Sequence, residues 1–534
     1  MVTSKIYEPD QIENYRDLIN RTVEKYPNNI AYKYKKDINS EKIEYIEKTY
    51  KEFNDDITSF GTALLKLGLE NKKVALISNN RYEWCVSYFA ITIGNMVVVP
   101  LDKSLQEKEI ENLIKRSGAE AVIYENKYAE IFKNIKERNQ SNLKYYINFD
   151  IKENSENEIA YPILKAQGET EVKNGNTEHQ NKKIDSYKMS IMLFTSGTTS
   201  EPKAVMLSQN NICSDIMGIA CHFILYPTDV LLSFLPLHHT FESTITIMYG
   251  MYYGVTVAFC DGLKYIAKNI EEYKVSILVA VPLVLETLYK KIKQGLYTPG
   301  KQLREFLFGS APMDKNVIEG YNEMGITTIQ GYGLTETSPV ISTETDKLKR
   351  PGSVGQVLPN LQVKIENTNK DGIGEILVKG PSVMIGYYQN QEETEKVLKN
   401  GWFNTGDLGY IDEDGFLYVT GRKKDVIVLK NGENVYPAEL EILINKLPYV
   451  LESVVYSHTE ERKISAKIVY SQELITKEYG EKTEQEIKNI IWEEIKKINQ
   501  DLPIFKHIKE IHITTKPFEK TTTQKIKRYQ AIND

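Results

Sequence analysis

The sequence predicts an α/β protein built in three textures, and three observations carry that prediction. Short apolar runs suited to buried strands alternate with helical periods through most of the first 350 or so residues. From Gly352 the chain turns to short alternating strands with many turn residues, which predicts a small β-rich subdomain. About the last hundred residues return to helix and strand, enough for a small α+β unit. At 534 residues the chain is too long for one compact core, so two or more domains are expected.

Taken in order, Phe53, Ile57, Phe60, Leu64 and Leu67 recur at helical spacing, and Gly68 follows as a stop. "KVALIS" reads as a buried strand, and "MVVVPL", the helical "QEKEIENLIKRSG" and "AEAVIY" repeat the alternation. Strand, helix and buried strand in succession predict parallel α/β structure. The polar stretch Lys152 to Lys188 is read as a surface excursion with little core of its own. A second α/β set follows in "DVLLSFLPL", "GVTVAF", "VSILVAVP" and "LREFLFGSAP". Near the end, "AELEILINKL" is helical. Thr483 and Glu486 form a capping box before an amphipathic run of isoleucines, and "IKEIHITTKPF" reads as a strand.

The formal net charge is -6 with both signs mixed, which marks no nucleic-acid surface. The four cysteines, Cys85, Cys213, Cys221 and Cys260, lack C-x-x-C spacing and fit buried free thiols in a reducing compartment. The N-terminal "MVTSKIYEPDQIENYRD" has no apolar core of a secretory signal. The longest nearly apolar stretch, "ITIMYGMYYGVTVAFC", is shorter than a membrane span. Cytoplasmic location is the expectation, with peripheral membrane contact left open.

Several stretches carry groups able to do chemistry. "FTSGTTSEPKAVMLS" places the hydroxyls of Thr195, Ser196, Thr198 and Thr199 around Gly197, with Lys203 behind them. Hydroxyls and backbone N–H groups in such a turn suit phosphate oxygens, although the lysine spacing is not that of a Walker loop; a plain turn is the equal alternative. "QGYGLTETSP" sets the ring of Tyr332, the hydroxyl of Thr335 and the carboxylate of Glu336 within five residues, suiting a base, a phosphate and Mg²⁺. Asp407 in "TGD" suits the two hydroxyls of a ribose, and Arg422 is a cation in a turn. "DEDG" marks a hairpin tip. Lys525 sits in the polar "FEKTTTQKIKR" close to the end. His238 and His239 are adjacent, without Asp or Cys partners in a metal pattern, and read as structural or pocket-lining. Each stretch alone also fits an ordinary turn or solvated tail.

Together and in this order, the motifs resemble the adenylate-forming superfamily of acyl-CoA synthetases, peptide-synthetase adenylation domains and luciferases. They are "FTSGTTSEPK", "LPLHHTFE", "GSAP", "GYGLTET", "TGD", "GRKKD", "NGENVYP" and a lysine near the C-terminus. "LPLHHTFE" and "GRKKDVIVLKNGENVYP" look most like bacterial long-chain fatty acyl-CoA ligases. The resemblance implies a large N-terminal domain, residues 1–423, of two α/β subdomains and a β-barrel-like subdomain. It implies a small α+β lid, residues 424–534, hinged at Lys424. Thr195 to Thr199 would wrap the β- and γ-phosphates, with Lys203 a secondary cation. Gly309, Ser310 and Ala311 would pass along the adenine, and Tyr332, between Gly331 and Gly333, would stack on it. Thr335 would touch the α-phosphate and Glu336 would hold Mg²⁺. Asp407 and Arg422 would hold the ribose, His239 would line the acyl entrance, and Lys525 would bridge the substrate carboxylate and the α-phosphate.

The activity so implied is ATP-dependent activation of a carboxylic acid, a medium- or long-chain fatty acid, to acyl-AMP. Coenzyme A then takes the acyl group. A ligase acting on an acyl carrier protein, or on aryl or short acids, stays as an alternative, and a non-catalytic AMP-binding protein as a remoter one. A monomer or a homodimer is expected. Ser200 and Ala204 stand where the family usually has glycine, Gln524 replaces the glycine before the lysine, and Glu519 stands where proline is common. None of these removes a charge that the chemistry uses.

Overall fold

A computed structural model describes residues 4–38, 40, 42–195, 202–429, 433–457, 463–521 and 526–533. The described residues form two α/β halves, an antiparallel β subdomain and a small C-terminal unit. In the first half an eight-stranded sheet runs in the order 386–387, 203–208, 189–195, 97–100, 73–77, 121–124, 145–148, 159–160. Its central strands are parallel, for example Val74 opposite both Val98 and Ala121. The strands Met189–Thr195 and Lys203–Ser208 form an antiparallel hairpin with Thr195 opposite Lys203.

The second half holds a nine-stranded sheet in the order 356–357, 340–343, 327–333, 305–308, 277–280, 230–233, 256–259, 30–35, 45–49. One hydrophobic cluster, from Ile12 to Leu417, runs through both halves. The β subdomain pairs strands Gln362–Glu366, Gly374–Lys379, Trp402–Ile411 and Leu398–Lys399, with Leu417–Arg422 on Trp402–Ile411. The C-terminal unit has its own core, from Ile427 to Ile511, around a three-stranded sheet. Fold class and layer order are those the sequence predicts.

Local chemistry explains the element ends. The helix Tyr50–Lys66 opens on Thr49, whose side chain accepts from Glu52 N while Glu52 reaches back to Thr49 N, and it ends before Gly68 at φ +75°. The helix Glu484–Gln500 opens on the same reciprocal box between Thr483 and Glu486. Among the described residues no helix is long and apolar enough to cross a membrane.

The stretch 152–188 departs from its reading as a surface excursion. It forms the helix Tyr161–Lys173, which lies along Tyr50–Lys66 and buries Tyr161 and Leu164. At the crossing a Cβ on Gly168 would lie 1.8 Å from Ser59 O, so only glycine lets the backbones approach. His179 is 1% exposed, with Nε2 3.1 Å from Ala90 O and its ring over Gly61 and Gly94. Burying Tyr161 and Leu164 contributes about 1.5–3 kcal/mol each. The polar composition hid this because the inward groups are few and widely spaced.

Candidate active site

The parallel strands Glu305–Phe308 and Thr327–Gly333 end side by side, and their C-terminal turns make one wall of a cleft. Gly309 lies where a Cβ would meet Gly331 O at 2.9 Å, and Gly333 where one would meet Pro339 O at 1.8 Å. Glycine at both positions therefore lets the two turns close on each other. Ser310 adopts φ +74°. The chain then makes a tight turn, Thr335–Thr337, which presents Thr335 and Glu336. Met384 N donates to Glu336 O at 2.8 Å, and the Tyr387 hydroxyl donates to Glu336 Oε1 at 3.0 Å.

Opposite stands the hairpin of Trp402–Ile411 and Leu417–Arg422, whose register puts Asp407 across from Arg422. Arg422 Nη1 lies 2.9 Å from Asp407 Oδ1, and the Tyr332 hydroxyl donates to Asp407 Oδ2 at 2.7 Å. Asp407 is 4% exposed, whereas the Arg422 side chain is 44% exposed. Burial, then the neighbouring Asp407 carboxylate, pushes the Tyr332 hydroxyl far above its ordinary range, so it stays a donor. A sequence-remote ring, carboxylate and guanidinium thus form one polar corner.

The cleft between these walls and the C-terminal unit has a volume of about 2950 Å³. Thr195, Lys203, His239, Ser310, Ala311, Gly331, Tyr332, Gly333, Thr335, Glu336, Asp407, Arg422 and Lys424 all line it. Gly309 lies against Gly331 and is not among the lining residues. Ser196, Gly197, Thr198, Thr199, Ser200, Gln524 and Lys525 lie outside the described residues. Lys424 sits in the turn Lys423–Asp425 directly after the hairpin, and burial lowers its ammonium pKa. The C-terminal unit supplies Tyr436, Ile442, Phe505 and Arg528 to the far side.

His238 and His239 stack at 4.1 Å between ring centroids. Burial drives His238 down to about 3, so it is neutral and its 3.6 Å approach to Asp102 is not an ion pair. The next residues form a π-helix, Phe241–Tyr249, which turns Phe241 toward the cleft and Glu242 inward. Glu242 is fully buried; Ser233 and Thr246 hydroxyls donate to it at 2.6 and 2.9 Å, and burial raises its pKa to about 8. Behind Phe241 lies a second, apolar cavity of about 30 Å³, lined by Ile219, Phe223, Ile245, Leu307, Phe308 and Val340 among others.

Two site residues gave no signal in the sequence. Tyr387 stands between Glu336 and Lys203, and Glu393 Oε2 lies 2.5 Å from Lys203 Nζ. "GYYQNQEET" looks like an ordinary loop and helix start, and nothing local to it points at a cleft.

Fold and site together define a nucleotide-handling α/β enzyme of the kind that the family comparison identifies. The family model described as AMP-binding enzyme matches residues 19–388, and that described as AMP-binding enzyme C-terminal domain matches residues 424–534. The chain belongs to the AMP-binding enzyme family. A 2-succinylbenzoate–CoA ligase of Bacillus mycoides (strain KBAB4) is 35% identical over 320 residues, 57% of this chain and 63% of the relative. The match thus spans less than two thirds of that relative's length. A 2-succinylbenzoate–CoA ligase of Bacillus cereus (strain ATCC 14579) is 30% identical over 453 residues, 82% of this chain and 86% of the relative. The solved anthranilate CoA ligase AuaEII, in complex with anthranoyl-AMP, superposes at TM-score 0.82 with 20% identity, covering 97% of this chain and 96% of the other. That last likeness concerns the fold. These names carry the family and not the narrower resemblance to fatty-acid ligases.

Proposed function

We propose that this chain is an AMP-forming acid–CoA ligase. The observation that carries the reading is the corner of Tyr332, Asp407 and Arg422 set across one cleft from Glu336, Lys203 and Thr195. Asp407 offers buried carboxylate oxygens to ribose hydroxyls, Tyr332 a ring face to adenine, and Lys203 a cation to the outer phosphates. Among the described residues no three His, Cys, Asp or Glu side chains gather as a metal cage. Mg²⁺ commonly takes one or two carboxylates plus substrate phosphates. Glu336 is the carboxylate that would hold it, and the ion would neutralise charge on the phosphates.

In the first step a carboxylate oxygen of the acid attacks the α-phosphorus, and the bond to the bridging oxygen of pyrophosphate breaks. Two anions meet, so cations are the main requirement and no general base is needed. Lys525 is the cation assigned to that meeting. In the second step the thiolate of coenzyme A attacks the acyl carbon and AMP leaves. Residues 424–534 act as a lid that turns at Lys424, carrying Lys525 away between the two steps.

For the acid, the apolar cavity behind Phe241 favours an alkyl chain, since the residues that line it offer no cation to a second carboxylate. Its free volume is about 30 Å³, so an acyl chain enters only as the lining side chains, Phe241 among them, rearrange. A second reading, an aryl acid such as 2-succinylbenzoate, is favoured by the names of the relatives. Acid-dependent exchange of label between pyrophosphate and ATP, over straight-chain acids of rising length, 2-succinylbenzoate and anthranilate, separates the two. Greatest exchange with straight-chain acids supports the first reading, and greatest exchange with 2-succinylbenzoate supports the second. No exchange with any acid overturns both.

A further inference from the structure

Lys203 and Glu336 are far apart in sequence, yet Tyr387 joins them, and Glu393 holds the lysine beside it. Lys203 Nζ lies 2.5 Å from Glu393 Oε2 and 5.0 Å from the centre of the Tyr387 ring, and the hydroxyl of that ring donates to Glu336 at 3.0 Å. The backbone fixes this arrangement. Strand Gly386–Tyr387 pairs antiparallel with Lys203–Ser208, Tyr387 opposite Val205, and Tyr388 N donates to Ala204 O at 2.8 Å. Glu393 is set by its own helix, Gln391–Val397, where Asn390 Oδ1 accepts from Glu393 N at 3.1 Å and Thr394 Oγ1 accepts from Tyr387 N at 2.9 Å.

The charges are arranged for exchange. Glu393 stands between two lysines, with its other oxygen 2.7 Å from Lys396 Nζ. It can therefore release Lys203 and still keep a cation. Lys203 and Glu393 side chains are each 30% exposed, so separating them strands no buried charge. The tyrosine ring gives the ammonium a face to rest on, and Lys203 borders the cleft.

We propose that Glu393 is a positioning residue that exchanges Lys203 with the β- and γ-phosphates of ATP: it holds the ammonium over Tyr387, yields it as the triphosphate binds, and recaptures it as pyrophosphate leaves. This rests on the reading of Lys203 as a phosphate-binding cation. Pairing with Glu393 then opposes phosphate binding and assists product release.

The test is calorimetric titration of the full chain with Mg·ATP, Mg·pyrophosphate and AMP, with melting curves to show that each variant is folded. Glu393→Gln should tighten ATP and pyrophosphate by roughly two- to fivefold, the range of a partly exposed pair, and leave AMP unchanged. Pyrophosphate release followed by stopped flow should slow by a similar factor. Glu393→Asp, which keeps the charge, should restore wild-type affinity. In a Lys203→Ala background the Glu393→Gln change should have no effect on either ligand. Weaker or unaltered pyrophosphate binding by Glu393→Gln overturns the proposal, as does an undiminished effect in the Lys203→Ala background. If folded Lys203→Ala binds ATP and pyrophosphate like wild type, the phosphate role of Lys203 falls, and the exchange falls with it.

Discussion

Asp407→Asn isolates the corner of Tyr332, Asp407 and Arg422 proposed to hold the ribose. In the wild type Asp407 is buried, paired with Arg422 at 2.9 Å and hydrogen-bonded by the Tyr332 hydroxyl at 2.7 Å. Asparagine keeps the volume but loses the charge, and its single amide oxygen can accept from Arg422 or from Tyr332 but not from both. Asp407 is buried and one donor beside it loses its acceptor, so folding should lose about 1–3 kcal/mol. Binding should lose a similar amount. Hydrogen bonds to a charged group are worth about 1.5–3 kcal/mol each, and one ribose hydroxyl loses its charged acceptor while the other is weakened. A total of about 2–3 kcal/mol corresponds to roughly 30- to 150-fold in affinity. Calorimetry should show AMP and ATP weakened alike and pyrophosphate, which has no ribose, unaltered. AMP binding within about twofold of wild type would refute the ribose assignment, and an equal loss for pyrophosphate would show a general disruption of the cleft.

Lys525→Ala should abolish pyrophosphate release from ATP and acid yet spare thioester formation from supplied acyl-adenylate; survival of both half-reactions would refute the role of Lys525. Lys424→Pro should restrict the turn after the hairpin, so adenylate still forms while thioester formation drops, and an equal loss in both steps would count against lid rotation there. Burial lowers His179 and His222 to about 4 and His238 to about 3. Below pH 6.5 the unfolded chain therefore binds protons that the folded one refuses, and each group lowers stability by up to ~1.4 kcal/mol per pH unit down to its folded pKa. Denaturant midpoints of His179→Gln should fall less steeply than wild type between pH 6.5 and 4, and equal slopes would contradict the assignment. Glu242 acts in the opposite direction: its raised pKa means protons are held on folding, so its contribution is present below about pH 4.5 and lost as pH rises toward about 8. A Glu242→Gln variant should therefore lose less stability than wild type across that window, and a melting series on the two chains measures it.

Much of this architecture is legible in the sequence because its signals are local. Buried strands such as "KVALI" need only apolar neighbours, and Thr483 with Glu486 specify a helix start within four residues. Asp407 and Tyr332 are legible as candidates for the same reason, each standing beside glycines in a short motif. Their direct hydrogen bond is not legible, because it joins the end of a strand of the nine-stranded sheet to a hairpin of the β subdomain. The same limit hides Glu393, whose partner Lys203 is 190 positions away. The helix Tyr161–Lys173 escaped for another reason: its contact depends on Gly168, whose importance is the missing side chain. The π-helix Phe241–Tyr249, within which Glu242 is buried against Ser233 and Thr246, is likewise not legible from residue spacing.

The central claim is that the cleft joins an acid to AMP before handing it to a thiol. It is tested most directly by incubating the full chain with Mg·ATP, a straight-chain acid and coenzyme A, and resolving the nucleotide products by chromatography and the thioester by mass spectrometry. AMP, pyrophosphate and acyl-CoA should appear in equal amounts, with acyl-AMP accumulating when coenzyme A is withheld. ADP and orthophosphate in their place, or thioester formed without AMP, would contradict the account.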